Sequence, residues 1–325
     1  MKKVLILFGG NSFEHKISCI STKSILENID KDKYNVTAVG IDQNNNWYLY
    51  ENEIKNIINW TKYDNKKIDN IIDFLKSFDI VFPVLHGANG EDGRLQGMLD
   101  LFGIKYVGCK TLSSSVSMDK VFSKYVFNEL NIPQVPFIEI TNEINLNEVI
   151  NRLSFPMIIK PSNGGSSIGI SVANNKKELK KAIKEAKKYD NKVLAEKFIK
   201  ARELECAVLQ KQDIIISTIG EIKSANKFYD YDAKYENNKS YTVIPAELNN
   251  NISLKIKEYA KKAFIGINAS SLSRIDFLYD ESNNQIYLNE INTMPGFTTI
   301  SMYPQLFMYE GFTYKELISA LIDNA

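Results

Sequence analysis

Apolar runs and helix-period stretches alternate through the first hundred residues of the chain. Val4–Phe8 is apolar throughout, stops at Gly9-Gly10, and predicts a buried strand. Glu14 to Asn28 predicts a helix, Tyr34–Ile41 a strand, Ile68–Lys76 a helix and Ile80–Val84 another strand. The glycine-rich "HGANGEDG" (86–93) then precedes a short helix near Arg94–Leu101. This is the βαβ rhythm of a parallel sheet, which gathers ligands at the carboxyl ends of its strands.

From about residue 109 the rhythm changes. Met118–Leu130 predicts one helix, closed by "NIPQVP" with its two boundary prolines. Phe155–Lys160 and Ile170–Ala173 read as strands around "PSNGGSSIG" (161–169), and Lys176–Tyr189 as a lysine-rich surface helix. Val193–Phe198 is strand-like, and "ARELECAVL" (201–209) alternates in the manner of an edge strand. Ile252–Phe264 predicts a helix, two strands at about 272–279 and 286–291 flank "DESNNQ", and "GFTYKELISALI" (311–322) ends the chain as a helix.

With 325 residues, the chain is long enough for two or three domains. Forty Lys and Arg against thirty-nine Asp and Glu give a net charge of +1, so electrostatics argues for neither nucleic acid nor a membrane surface as a partner. The three cysteines, Cys19, Cys109 and Cys206, are too far apart for a disulfide framework and imply a reducing compartment. The opening "MKKVLILFGGNSFEHK" has too short an apolar run for a signal peptide, and no stretch approaches membrane-spanning length. A cytoplasmic location is the expectation.

Several constellations could carry chemistry. In "SRIDFLYDESNNQIYLNEIN" (273–292), residues two apart share a strand face. A turn centred on Asn283 sets Asp276 opposite Glu290 and Arg274 opposite Asn292. Two carboxylates and an amide suit Mg²⁺, although a solvated hairpin with a cross-strand ion pair would read the same way. In "KPSNGGSSIG" (160–169) a lysine leads into a loop of glycines and serines that could cradle a phosphate, or be an ordinary hairpin loop. Glu196 and Glu203 could accept from an adenine amine and ribose hydroxyls, or be surface acids. Glu14 could serve the helix dipole or hold an ammonium. His86 sits in its glycine-rich loop beside no nucleophile, and no Ser/His/Asp order is present. "FYDYDAKY" (228–235), with Asn, Lys and Ser around it, could stack on nucleic acid, form an exposed strand, or be a lid.

Taken in order, "FGGNSFEHKIS" (8–18), "LHGANGEDGRLQGMLDLFGIKYVG" (85–108), "SMDK" (117–120), "KPSNGGSSIG", "FYDYDAKY", "RIDF" (274–277) and "NEINTMPGFT" (289–298) resemble the D-alanine–D-alanine ligase family of the ATP-grasp superfamily. The resemblance implies an α/β chain of ATP-grasp fold in three parts. These are an N-terminal parallel α/β substrate domain (1–108), a central subdomain (109–198) and a C-terminal subdomain (199–325) with a lid at about 221–243, the last two enclosing ATP.

It also implies roles. Lys120, Lys160, Ser166, Ser167 and Lys234 would meet the ATP phosphates, Glu196, Lys197, Phe198 and Ile199 the adenine, and Glu203 the ribose, with Phe277 and Asn289 completing the nucleotide site. Asp276, Glu290 and Asn292 would carry two Mg²⁺ or Mn²⁺. Glu14 would hold the first D-alanine's ammonium, coupled to Ser166 and Tyr235, with His86 close by. Arg274 and the Gly296 N–H would form the oxyanion site, and Ser301 and Met302 would face the second D-alanine. Lys234 and Tyr235 make the polar, aromatic segment a lid over a water-sensitive acyl phosphate. The family resemblance further implies a homodimer. Relatives that use D-serine carry "EKY" where this chain has Ala233-Lys234-Tyr235, and a basic residue at Met302, while D-lactate relatives replace much of "DYDAKY". D-alanine is therefore the expected acceptor, and D-serine or D-lactate the alternative.

Overall fold

The computed structural model describes residues 1–141, 143–223 and 241–325. In the N-terminal part, β1 (Lys2–Gly9) leads to α1 (His15–Asn28), β2 (Tyr34–Ile41), β3 (Trp47–Tyr50), β4 (Lys66–Lys67), α2 (Ile71–Lys76) and β5 (Ile80–Val84). The sheet order is β4-β3-β2-β1-β5. β1 lies parallel to both β2 and β5, as the rhythm predicts, while β3 and β4 add antiparallel strands. The predicted helix over 68–76 starts only at Ile71, after an Asn70 cap whose side chain accepts from the Asp73 N–H.

α3 (Arg94–Leu101) is followed by α4 (Thr111–Met118) and α5 (Lys120–Glu129). The single helix expected over 118–130 is corrected, because Asp119 leaves helical geometry and caps α5 through the Val121 and Phe122 N–H groups. The Asp119 carboxylate also accepts from Ser162 Oγ at 2.6 Å, tying the break to the next sheet. That sheet contains β6 (Phe137–Ile140), β7 (Met157–Pro161), β8 (Ser171–Ala173) and β9 (Val193–Lys197), in the order β6-β9-β7-β8. α6 (Leu146–Leu153) and α7 (Lys176–Ala186) cover it.

The third sheet is antiparallel, ordered β12-β11-β10-β13-β14. It is built from β10 (Arg202–Gln210), β11 (Ile214–Lys223), β12 (Tyr241–Val243), β13 (Leu272–Asp280) and β14 (Gln285–Asn292). The edge-strand expectation for 201–209 is overturned: β10 is paired on both sides. Its alternation reflects two different cores. Leu204, Cys206 and Val208 pack with α8 (Asn250–Gly266), whereas Ala207 and Leu209 face α9 (Met302–Tyr309) and α10 (Tyr314–Asp323). α9 escaped the sequence pattern because Pro304 stands inside it. The proline lies in the first turn, where a missing N–H costs nothing.

Within the β13–β14 hairpin the expected pairs Arg274↔Asn292 and Asp276↔Glu290 are present. Nearer the turn the register becomes Phe277↔Leu288, so Asn289 is an extra residue in a β-bulge.

Candidate active site

A cleft of about 910 Å³ runs where the three sheets meet. Glu14, His86, Lys120, Lys160, Ser166 and Ser167 line it, as do Glu196, Lys197, Ile199 and Glu203. Arg274, Asp276, Phe277, Asn289, Glu290, Asn292, Gly296, Ser301 and Met302 form the facing wall. Of the residues singled out from sequence, Phe198 does not line the cleft, and Lys234 and Tyr235 lie outside the described residues.

At one end the walls are apolar, with Ile158 and Val172 facing Leu204 and Leu278. Glu196 on β9 borders this slot, itself only 3% exposed. Lys160 Nζ stands 2.6 Å from one carboxylate oxygen and Lys124 Nζ 2.8 Å from the other. Burial alone would raise the Glu196 carboxyl, but the two ammoniums outweigh it and hold it well below the ordinary range. Burial pushes the Lys124 ammonium down, against the pull of Glu196. Sequence reading passed over Lys124, although it lies one helical turn from Lys120.

Toward the middle, Lys120 Nζ donates to the Gly164 carbonyl at 2.6 Å and lies 3.8 Å from Glu290. The loop after β7 carries Ser166 and Ser167 in left-handed geometry, at φ 51° and 60°. The contact that holds it there is long-range: Ser166 Oγ donates to the Glu14 carboxylate, across 152 residues. Glu14 immediately precedes α1. Gly87 also crowds that carboxylate. With φ +76°, it would place a Cβ 2.7 Å from Glu14 Oε2, so a side chain there would displace the acid.

His86 is buried under this acid. Its Nδ1 lies 3.0 Å from the Met294 carbonyl and 3.5 Å from Glu91, and its Nε2 is 3.1 Å from Ser21 Oγ. Glu91, a second residue that sequence reading left unremarked, follows His86 within the same glycine-rich loop. Burial lifts the Glu91 carboxyl to about 7, only partly opposed by His86. Burial disfavours the imidazolium of His86, but Glu91, Glu14 and the Met294 carbonyl outweigh it and raise the ring above its ordinary value.

The two shifts have the same sign in pH linkage. Between the ordinary carboxyl value of 4.5 and about 7, the folded state retains protons that the unfolded chain releases. Stability from this pair is therefore fully present at the acid end and is lost as pH rises through the window. In Glu91→Gln, the melting temperature should fall less between about pH 5 and 7.5 than in the wild type. An unchanged slope in calorimetry would assign the dependence to other groups.

On the facing wall, Arg274 makes a bidentate contact with Asp276, Nε and Nη2 each at 2.7 Å, and its Nε lies 2.9 Å from the buried Glu205. Burial opposes the guanidinium charge, yet Asp276, Glu205 and Glu290 hold it firmly protonated. Asn292 Nδ2 donates to Asp276 at 3.0 Å, which turns its amide oxygen away from that bond. Among the described residues no group of three or more His, Cys, Asp or Glu gathers as a metal cage. Two carboxylates with an amide oxygen still fit Mg²⁺, which keeps waters and takes phosphate oxygens as further ligands. The Asn289 bulge matters here, because it lets consecutive residues Asn289 and Glu290 both border the cleft.

At the far end, Ser301 Oγ accepts from the Thr298 N–H at 3.0 Å beside Gly296. Met302 is 4% exposed. Its sulfur lies where a Cβ on Gly220 would be, 2.4 Å away, so the absent side chain of β11 makes room for it.

Comparison with known proteins is consistent along the whole chain. Residues 3–109 match the family model "D-ala D-ala ligase N-terminus", and residues 126–323 match "D-ala D-ala ligase C-terminus". A D-alanine–D-alanine ligase of Acetivibrio thermocellus is 44% identical, covering 100% of this chain and 96% of its own length. One from Clostridium acetobutylicum is 45% identical, covering 100% and 98%. Among solved structures, the VanG D-Ala:D-Ser ligase of Enterococcus faecalis superposes with a TM-score of 0.90 at 34% identity, over 99% of this chain and 98% of that one. The D-alanine–D-alanine ligase of Coxiella burnetii gives 0.88 at 31% identity, over 99% and 93%.

Proposed function

We propose that this chain, which belongs to the D-alanine–D-alanine ligase family and is an enzyme of that class, joins two D-alanines at the expense of ATP through a D-alanyl phosphate, for peptidoglycan precursors. One observation carries the reading. The Ser166–Glu14 contact sets a carboxylate able to hold an ammonium directly against a loop able to hold phosphate.

A carboxylate is a poor acyl donor because oxide is a poor leaving group. Transfer of the γ-phosphoryl group to the first D-alanine's carboxylate replaces it with phosphate and releases ADP. The second D-alanine's free amine then attacks the acyl carbon, the tetrahedral intermediate collapses, and phosphate departs. Glu14, fixed by Ser166, orients the first ammonium. Lys120 and Lys160 meet the phosphates, while Glu196 and Glu203 take the adenine amine and the ribose. Arg274 and the Gly296 N–H stabilise the oxyanion. Mg²⁺ held by Asp276, Glu290 and Asn292 would neutralise phosphate charge when bound. Lys234 and Tyr235 are assigned to closure of the site against water. The same reading places the enzyme in the cytoplasm as a homodimer, with no nucleic-acid or membrane partner. Among the described residues no helix is long and apolar enough to cross a membrane.

The test is phosphate release and dipeptide formation with ATP, Mg²⁺ and D-alanine, and the expected result is one phosphate per dipeptide. D-alanine-independent hydrolysis with no dipeptide would overturn the reading. D-serine is the second acceptor to consider, because a D-Ala:D-Ser ligase is among the similar solved structures. Ala233 and the apolar Met302 favour D-alanine. With both amino acids present at equal concentration, D-alanyl-D-alanine should dominate the products, as the ratio of kcat/KM values decides.

A further inference from the structure

We propose that Lys124 is a positioning residue for nucleotide recognition: it keeps Glu196 an oriented carboxylate acceptor, and so sets the preference for a 6-amino purine over a 6-oxo purine. The inference rests on the reading of Glu196 as the residue that meets the base.

Lys120 and Lys124 are one turn apart on α5 but serve different spaces. Lys120 borders the cleft, whereas Lys124 is 2% exposed and takes no part in its wall. Its ammonium lies 2.8 Å from Glu196 and 5.1 Å from the centre of the Phe137 ring. So enclosed, it stands behind Glu196 and reaches a nucleotide chiefly through that carboxylate. Lys160 differs, since it both contacts Glu196 and lines the cleft, where phosphate would compete for it.

A carboxylate offers about four lone-pair positions, and the two ammoniums leave acceptor capacity for the cleft. If Lys160 leans toward phosphate, Glu196 still has one charged partner that phosphate cannot draw away. Without Lys124, Glu196 keeps only Lys160, and once that lysine turns toward phosphate the buried acid is left uncompensated and takes up a proton. A protonated acid donates where a carboxylate accepts. The 6-amino group of adenine then loses its acceptor, and the 6-oxo group of guanine gains a donor.

The experiment compares wild type, Lys124→Met, Lys124→Arg and Glu196→Gln. It measures kcat/KM for ATP and GTP, and calorimetric binding of ADP and GDP. In Lys124→Met the ATP-to-GTP ratio should fall by about tenfold or more, the expected scale for losing a charge-assisted hydrogen bond, while kcat at saturating ATP changes much less. Lys124→Arg should restore most of the ratio, and Glu196→Gln should collapse it. If folded Lys124→Met keeps the wild-type ratio while Glu196→Gln loses it, the role given to Lys124 is wrong and that of Glu196 stands. If Glu196→Gln keeps the ratio, the base-contact reading fails and the proposal fails with it. Lys124→Gln, which keeps a donor but no charge, carries the same comparison should the methionine variant not fold.

Discussion

Arg274→Ala should lower turnover by about 10²–10³-fold, the usual loss for one oxyanion donor, with far less effect on the concentration of D-alanine that half-saturates the enzyme. The side chain is also structural. It faces Asp276 and the buried Glu205, with Glu290 acting on it through charge. Removing it leaves buried carboxylates uncompensated, at a cost of about 3–5 kcal/mol. The two effects separate in a double variant, Arg274→Met with Glu205→Gln. Deleting both ends of the Glu205 pair should recover the part of the melting temperature that the buried Glu205 accounts for, and none of the turnover. Recovery of turnover together with stability would show that the arginine only holds the wall in place.

Glu290→Gln should cost turnover about a thousandfold, because a metal-borne charge near the transferring phosphoryl group is worth several kcal/mol. Glu290 is a cleaner probe than Asp276, which also accepts the Arg274 fork. The amide keeps the size of the acid and loses its charge. Part of the lost activity should return as Mg²⁺ is raised, and ADP binding measured without metal should be almost unchanged. An Mg²⁺ dependence identical to wild type would remove Glu290 from the metal site.

Much of this site was legible in the chain, because its local patterns were also its global ones. The cross-strand pairs at 274/292 and 276/290 followed from period-two alternation and an Asn-rich turn. The bulge at Asn289 did not, since one inserted residue leaves no mark on composition. Its position shows only when pairs on both sides of it are counted. β10 was misplaced at an edge because Glu203 and Glu205 imitate a solvated face. Glu205 is in fact buried at 5% exposure, beside the guanidinium of a residue far away in sequence. Lys124 was missed for the same reason. A buried charge is recognised by its partner, and Glu196 lies 72 positions beyond Lys124 when the residue numbers are subtracted. Lys234 and Tyr235 remain assignments from sequence resemblance.

The core around Phe8, Tyr34 and Trp60 is shared with Tyr303, Phe307, Leu317 and Ile318, from the other end of the chain. Asp323 closes it, meeting Lys33 and accepting from the Tyr34 hydroxyl at 2.9 Å. This arrangement orders events during synthesis. The earlier-made segment covers one face of its sheet with its own helices and the other only in part, with α1 and the stretch around Trp60; the rest of that core awaits residues made later. Until then part of that apolar core is an unfinished surface, a state in which nascent chains associate with one another or with chaperones. A stop codon placed just before α10 would remove little of the cleft, yet it should yield a protein that fails to mature rather than one that matures and works poorly.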